Sequence, residues 1–347
     1  MTTATNTINV QQEVQQQAGK LINHFAGCVG FKTIEIGLKN GLLSALADQP
    51  EGLTAAGLAS KAETDEFYTG VWARAAYAAD LLEVDGEYRY RLAPHIDKLL
   101  INENFPGYVG GIPAVFSQPE FFDHFSGNLK TGSHIWWEDT SPAFVQAVSG
   151  TGWPFYNRLI PAGLDRIPGL TENLEQGAKV LELASGAGRG LVKFAETYPN
   201  TEIVGVDGDD HTNSLASERL GEAGLGGRAS LVLSSLEDFT AESEYDLVFI
   251  NISMHECRNI DQVAANVKRA LKPGGHFVIS DFPFPSTHEG LRTPAARVLT
   301  GIQYFEAQID DQLLPTDAFV DLLDRHGFED VTAFDITPVH NLIHGRK

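Results

Sequence analysis

Five short apolar runs punctuate the second half of the chain: KVLELA (179–184), TEIVGVD (201–207), ASLVLS (229–234), YDLVFIN (245–251) and HFVISDF (276–282). Helical stretches separate them. A run that is apolar almost throughout suits a strand buried on both faces, the condition of a parallel sheet covered by helices. The alternation therefore predicts an α/β fold with a doubly wound, mainly parallel sheet, whose ligand sits at the strands' carboxyl ends.

The first of these strands runs into VLELASGAGRG, residues 180–190. Gly186, Gly188 and Gly190 fall at alternate positions, and a helix begins near Leu191. Glycines there let the backbone approach a ligand closely. Such a loop also occurs in dinucleotide folds. Three acids and their neighbours bear on the choice. Glu182 would oppose a pyrophosphate but suits a cationic amino group held through the loop. Asp207 ends the second strand, 17 residues after Gly190, where a carboxylate can accept both hydroxyls of a ribose. Ser235, Leu236 and Asp238 follow the third strand and can offer polar and apolar contact to a purine.

The preceding residues read differently. Apolar residues recur at helical spacing from Lys20 to Leu46, and Thr54 can cap a short helix. A further helix is predicted over about Thr64–Leu82. LLEVDGEYRYRLAP then alternates around Asp85-Gly86, a hairpin signal. Helices followed by a hairpin describe a winged-helix shape. Residues 105–170 are rich in aromatics, and Pro106, Pro113, Pro119 and Pro142 exclude one long helix. The expected division is a winged-helix-like domain over 1–104, a helical connector over 105–170 and the sheet domain over 171–347.

A net charge of −21 sets the surface against phosphate backbones and anionic lipid, so neither nucleic acid nor membrane is an expected partner. The two cysteines, Cys28 and Cys257, fit no metal spacing, and no histidine pair has the HExxH pattern. No metal is expected. The N-terminus lacks a signal-peptide pattern, and no apolar stretch is long enough to span a bilayer, so a cytoplasmic location is expected.

Residues 178–281 resemble the class I S-adenosylmethionine-dependent methyltransferases. Glu182 with the Gly186/Gly188/Gly190 loop matches that family's first motif, and Asp207 its ribose-binding acid. Ala184 stands where the family often has Gly, and Ser235 where it often has Asp. IEIGLKNGLLSALADQPEGLTAAGLA, FFDHFSGNLKTG and LKPGGHFVISD extend the resemblance over roughly 20–340, to the two-domain small-molecule O-methyltransferases. That resemblance implies a Rossmann-like catalytic domain, S-adenosylmethionine as cofactor with S-adenosylhomocysteine as product, and a winged-helix-like domain serving homodimerisation. It further implies that His255, in INISMHECRN, is the base that removes the acceptor's proton, with Glu256 where the family has an Asp.

The acceptor pocket is expected from the aromatic connector and from FPFPSTHEGLRTPAARVLTGIQYFEAQ, with Phe116, Trp137, Tyr156, Tyr304 and Phe305 as walls and Arg297 as a carboxylate partner. O-methylation of a small aromatic or enolic molecule is the leading expectation. S-methylation of a thioether acid of the methylthio-hydroxybutyrate type would need no base. A ligand-sensing winged-helix regulator and an NAD-dependent oxidoreductase are the other classes considered; the acidic chain, with Arg74 the only basic residue in the candidate recognition stretch, argues against the regulator.

Overall fold

Gly41 takes φ 67°, which a side chain would resist, and it ends the helical run begun upstream. The computed structural model describes residues 2–136 and 139–347. It forms two compact units, 1–114 and 115–347. In the first, helix α1 (Thr2–Lys39) gives way at Gly41 to α2 (Leu42–Ala47). Helix α3 (Ala55–Ala62) follows, capped by Thr54, and then α4 (Glu66–Ala78), capped by Asp65. Strands β1 (Leu82–Val84) and β2 (Tyr90–Leu92) pair antiparallel. Asp85 closes their turn by accepting from the backbone N–H of Glu87 and Arg89. Helix α5 (Ile96–Leu100) completes this unit's core of Leu43, Leu46, Leu58, Trp72, Leu82 and Leu100. The unit extends past residue 104 because the next segment folds back on α5, with Val109 N–H donating to the Leu99 carbonyl.

Helix α6 (Ile112–Phe116) runs across the boundary in sequence. The second unit continues with α7 (Phe122–Asn128), α8 (Pro142–Arg158) and α9 (Leu170–Gln176). Its sheet strands and helices then alternate: β3 (Lys179–Leu183), α10 (Arg189–Thr197), β4 (Glu202–Asp207), α11 (Asp210–Glu222), β5 (Ala229–Leu233), β6 (Tyr245–Asn251), α12 (Ile260–Ala270), β7 (Leu271–Asp281), α13 (Pro294–Glu306), α14 (Thr316–Arg325), β8 (Glu329–Thr337) and β9 (His340–Arg346).

The seven strands lie in the order β5-β4-β3-β6-β7-β9-β8. β3 to β7 run parallel, and β9 pairs antiparallel with β7 and β8. This is the Rossmann-like arrangement that the apolar runs predict. Alternate residues serve opposite faces, as the pleat requires. Leu181, Val206, Val248 and Phe277 pack with Val263 of α12 and Phe319 of α14. Val180, Ile203, Phe249 and Val278 pack with Leu191 and Phe194 of α10. β3 and β6 are neighbours at the centre of the order, so the loops after β3, β4, β6 and β7 gather at one edge. Among the described residues no helix is long and apolar enough to cross a membrane.

Candidate active site

The loop after β3 owes its shape to backbone conformations that favour glycine. Gly186 and Gly188 have φ 49° and 77°, and Ala184 has φ 53°. Ala184 thus holds a left-handed conformation without glycine's freedom. The three glycines serve different ends. A Cβ on Gly186 would meet open space, so the loop is bare there. A Cβ on Gly188 would touch Ala216 of α11 at 3.0 Å, and one on Gly190 would collide with the Glu182 carboxylate and the Tyr156 ring. Gly186 therefore leaves the loop bare, whereas Gly188 and Gly190 let α11, Tyr156 and Glu182 pack behind it.

Asp207 ties the loop to the end of β4. Its Oδ2 accepts from Gly186 N–H at 2.8 Å, and its Oδ1 from Asp209 N–H at 2.9 Å. The Thr212 hydroxyl also donates to Oδ1, at 3.1 Å, and a carboxylate has room for a further donor beyond these three. On the neighbouring strand end, Ser235 Oγ donates to Asp238 at 2.8 Å. Leu236 packs against the core behind them. Glu182 is fully buried, and its Oε1 accepts from the Tyr156 hydroxyl at 2.6 Å. Its Oε2 and the Ser185 hydroxyl are buried with no hydrogen bond. Burial pushes the Glu182 carboxyl up to about 8, against the opposing hydrogen bond from Tyr156. An amino group carrying positive charge would relieve that cost. A bare loop at Gly186, unsatisfied polar atoms beside it and an acid on the next strand fit S-adenosylmethionine.

The second cluster forms after β6. Ile252, a β-branched residue at φ 49°, turns the chain sharply from the strand end, and its N–H donates to the Ser280 carbonyl. Met254 anchors the loop in the core. His255 then points at the end of β7, where its Nδ1 meets Asp281 Oδ1 at 2.7 Å. Its Nε2 lies 3.8 Å from Glu306 Oε2, in the last turn of α13. Neither of those two atoms has a hydrogen bond. The imidazole and the carboxylates of Glu256 and Glu306 lie within 4.8 Å of one another, close enough for a cation to bridge them. Burial alone would lower the His255 pKa, but Asp281, with Glu306 and Glu256, holds it well above the ordinary value. Burial raises the carboxyls of Glu306 and Glu256 above the usual carboxylate range, against the pull of His255.

The residues named from the sequence fall in three places. Glu182, Gly186, Gly188, Gly190, Asp207, Ser235, Leu236 and Asp238 occupy the neighbouring ends of β3, β4 and β5. His255 and Glu256 sit after β6. The aromatic residues are dispersed. Tyr156 serves Glu182. Phe116 and Phe305 both pack on Phe121. Tyr304 is exposed and meets Phe122 and Phe125. Arg297 is exposed and donates to the Arg292 carbonyl. Trp137 lies outside the described residues. Phe282 stands beside the His255 imidazole instead, with ring centroids 5.7 Å apart, and Phe155 packs on it. Asp281 and Glu306 escaped the sequence reading. Their signals were an acid closing an apolar strand and an acid in a last helical turn, where the dipole disfavours it.

The Methyltransferase domain family profile matches residues 174–308. An uncharacterized methyltransferase of Synechocystis sp. is 33% identical over 163 residues, covering 45% of this chain and 70% of that protein. A ubiquinone/menaquinone biosynthesis C-methyltransferase of Psychromonas ingrahamii is 28% identical over 114 residues, covering 32% of this chain and 45% of that protein, so the match spans about half its length. The crystal structure of the S-adenosylmethionine-dependent methyltransferase SibL superposes with TM-score 0.72 at 16% identity, over 94% of this chain and 98% of that one.

Proposed function

The chain belongs to the S-adenosylmethionine-dependent methyltransferases, and from that premise we propose that it methylates an oxygen of a small molecule, with His255 as the base. The observation that carries this reading is the state of one imidazole. Asp281 engages Nδ1, while Nε2 is buried without a hydrogen bond. A carboxylate on Nδ1 fixes the tautomer and leaves Nε2 free to take a proton.

S-adenosylmethionine supplies a methyl group on a positively charged sulfur. Asp207, Ser235 and the Gly186 backbone would hold it, and Glu182 would face its amino group through the loop. Residues of the β6 and β7 ends do the remaining work. The acceptor hydroxyl gives its proton to Nε2. The cofactor, held as described, would supply the methyl group to that oxygen, its sulfur keeping the electron pair of the C–S bond. Asp281 stabilises the imidazolium that results. With its proton affinity raised by Asp281, His255 approaches that of a phenol, so the transfer is nearly balanced in energy. Alignment of the acceptor supplies a further large factor.

A second copy of the chain is the proposed partner for α1. Val14, Leu21, Phe25 and Val29 lie near one face of that helix, all at least half exposed. Light scattering on the purified protein tests this.

Calorimetric titration with S-adenosylhomocysteine tests the cofactor site, and methyl transfer to phenols by wild type and His255→Ala tests the base. Binding with transfer that depends on His255 supports the reading. Binding with transfer indifferent to His255 would favour a thioether acceptor, which has no proton to lose.

A further inference from the structure

We infer that Tyr156 is a positioning residue of the cofactor site: by holding one oxygen of the Glu182 carboxyl it presents the other to the cofactor's amino group, so that α8 contributes to cofactor affinity without touching the cofactor. This rests on the reading that Glu182 faces that amino group through the loop. Its own ground is a row of polar residues on one face of the sheet. Val180, Phe249 and Val278 pack against α10, and Glu182, Asn251 and Ser280 follow each of them by two residues, so they share that face near the carboxyl ends of β3, β6 and β7. Helix α8 supplies partners at both ends of the row, Tyr156 at Glu182 and Arg158 beyond Ser280.

The direction of these hydrogen bonds is fixed from the Arg158 end, because a guanidinium only donates. Arg158 Nε donates to His340 Nδ1 at 3.0 Å, and burial holds that imidazole neutral. His340 Nε2 therefore carries the ring proton and donates to Ser280 Oγ at 2.8 Å, and Ser280 Oγ donates to Asn251 Oδ1 at 2.7 Å. That turns the Asn251 amide nitrogen, a donor, towards the Tyr156 hydroxyl. With a donor on that side, the hydroxyl donates to Glu182 Oε1 at 2.6 Å, and Oε2 stays bare.

Around the Tyr156–Glu182 pair stand Asn251 from β6, Asp207 from β4 and Gly190 from α10, where a Cβ would collide with both side chains. None of these is a cation. Burial raises the Glu182 carboxyl to about 8, the Tyr156 hydrogen bond opposes that rise, and the Asp207 charge adds to it. In the free enzyme the carboxyl thus keeps its proton at neutral pH, and an ammonium group reaching Oε2 displaces that proton. Tyr156 eases the exchange, since a hydrogen bond to a carboxylate is stronger than one to the neutral acid. The preceding residue, Phe155, packs on Phe282 beside His255, so one turn of α8 bears on both halves of the proposed site.

Calorimetric titration with S-adenosylhomocysteine and with methylthioadenosine, which lacks the amino-acid end, tests this. At about pH 7 the wild type should prefer S-adenosylhomocysteine and release close to one proton on binding it, read from how the heat varies with the buffer's ionisation enthalpy, and none on binding methylthioadenosine. Tyr156→Phe should weaken S-adenosylhomocysteine by about 10-fold or more while leaving methylthioadenosine as in wild type. Its affinity for S-adenosylhomocysteine should also need a higher pH than wild type to reach a plateau, because Glu182 then holds its proton more firmly. Glu182→Gln should abolish the proton release, and adding Tyr156→Phe to it should weaken binding little further, since Tyr156 acts through Glu182. An unchanged preference in Tyr156→Phe, an equal loss for both nucleosides, or a full further loss in the double variant would each overturn the inference. A wild type that binds both nucleosides alike would displace Glu182 from the amino group, and one that binds neither would remove the cofactor reading first; either result takes the inference with it.

Discussion

His255 and Asp281 stand 26 residues apart in sequence and meet at 2.7 Å, with both side chains only 1% exposed. A buried imidazole would ordinarily be easier to deprotonate, and here the carboxylate reverses that tendency.

The reversal fixes a pH dependence. With Asp281, Glu306 and Glu256 outweighing burial, the His255 pKa stands at about 10. A base acts only when unprotonated, so kcat/KM for an oxygen acceptor should climb with pH and level off near that value. Asp281→Asn takes away an anion that stabilises the imidazolium, so the pKa falls and the inflection moves to lower pH. An inflection that stays in place in this variant would detach Asp281 from the base.

Loss of the imidazole should be felt in chemistry rather than in cofactor binding. His255→Ala is expected to lower oxygen transfer by about 10²–10⁴-fold. The dissociation constant of S-adenosylhomocysteine should stay as in wild type. Single-turnover rates alongside calorimetry separate the two.

Asp207 holds the Gly186 and Asp209 backbone and is also the proposed partner of the ribose. Asp207→Asn should weaken S-adenosylhomocysteine by about 10-fold or more, as expected for charge-assisted hydrogen bonds. A melting temperature taken beside each titration shows whether the loop itself has loosened. Undiminished affinity would place the ribose elsewhere.

Ala184 is left-handed where glycine would be unstrained. The conformation costs about 1–2 kcal/mol, part of which glycine's own chain entropy offsets. Ala184→Gly should therefore stabilise the protein by up to about 1 kcal/mol in urea unfolding. A loss of stability would mean that the methyl group's packing against the core outweighs the strain.

His255, Glu256 and Glu306 could also clasp a cation. The proposed base needs none, so transfer should persist after exhaustive treatment with EDTA. Inactivation reversed by a divalent ion would reassign the cluster as a metal centre.

The sheet and the glycine loop were legible because their signals are local. Apolar runs mark strands buried on both faces, and glycine spacing marks the turn. Strands β8 and β9 were not, since VTAFDIT and HNLIHGR mix polar with apolar residues. The buried histidines of β9 are satisfied by distant partners. His340 receives Arg158 and meets Ser280, and His344 meets His276. The same holds for Asp281 and Glu306, whose meaning depends on a histidine brought to them by the fold. Tyr156 was legible as an aromatic from the connector. Its hydrogen bond to Glu182 was not, because nothing near either residue in sequence reveals a contact spanning 26 residues.

The placement of β9 has a consequence for how the molecule assembles. It enters the sheet between β7 and β8, pairing His276 with Arg346 and Asp281 with Asn341. The strand that ends in Asp281 therefore keeps one edge unpaired until residues some 60 positions downstream arrive. Closing so distant a ladder is slow, and an open apolar edge is a template for association between chains. During synthesis the histidine and its carboxylate can be near each other before the strand beneath them is secured. Completion of the proposed catalytic pair is thus coupled to a late, long-range step of folding. Substitutions in 340–346, a strand that supplies none of the reacting atoms, should lower the yield of active enzyme more than the activity of what does fold.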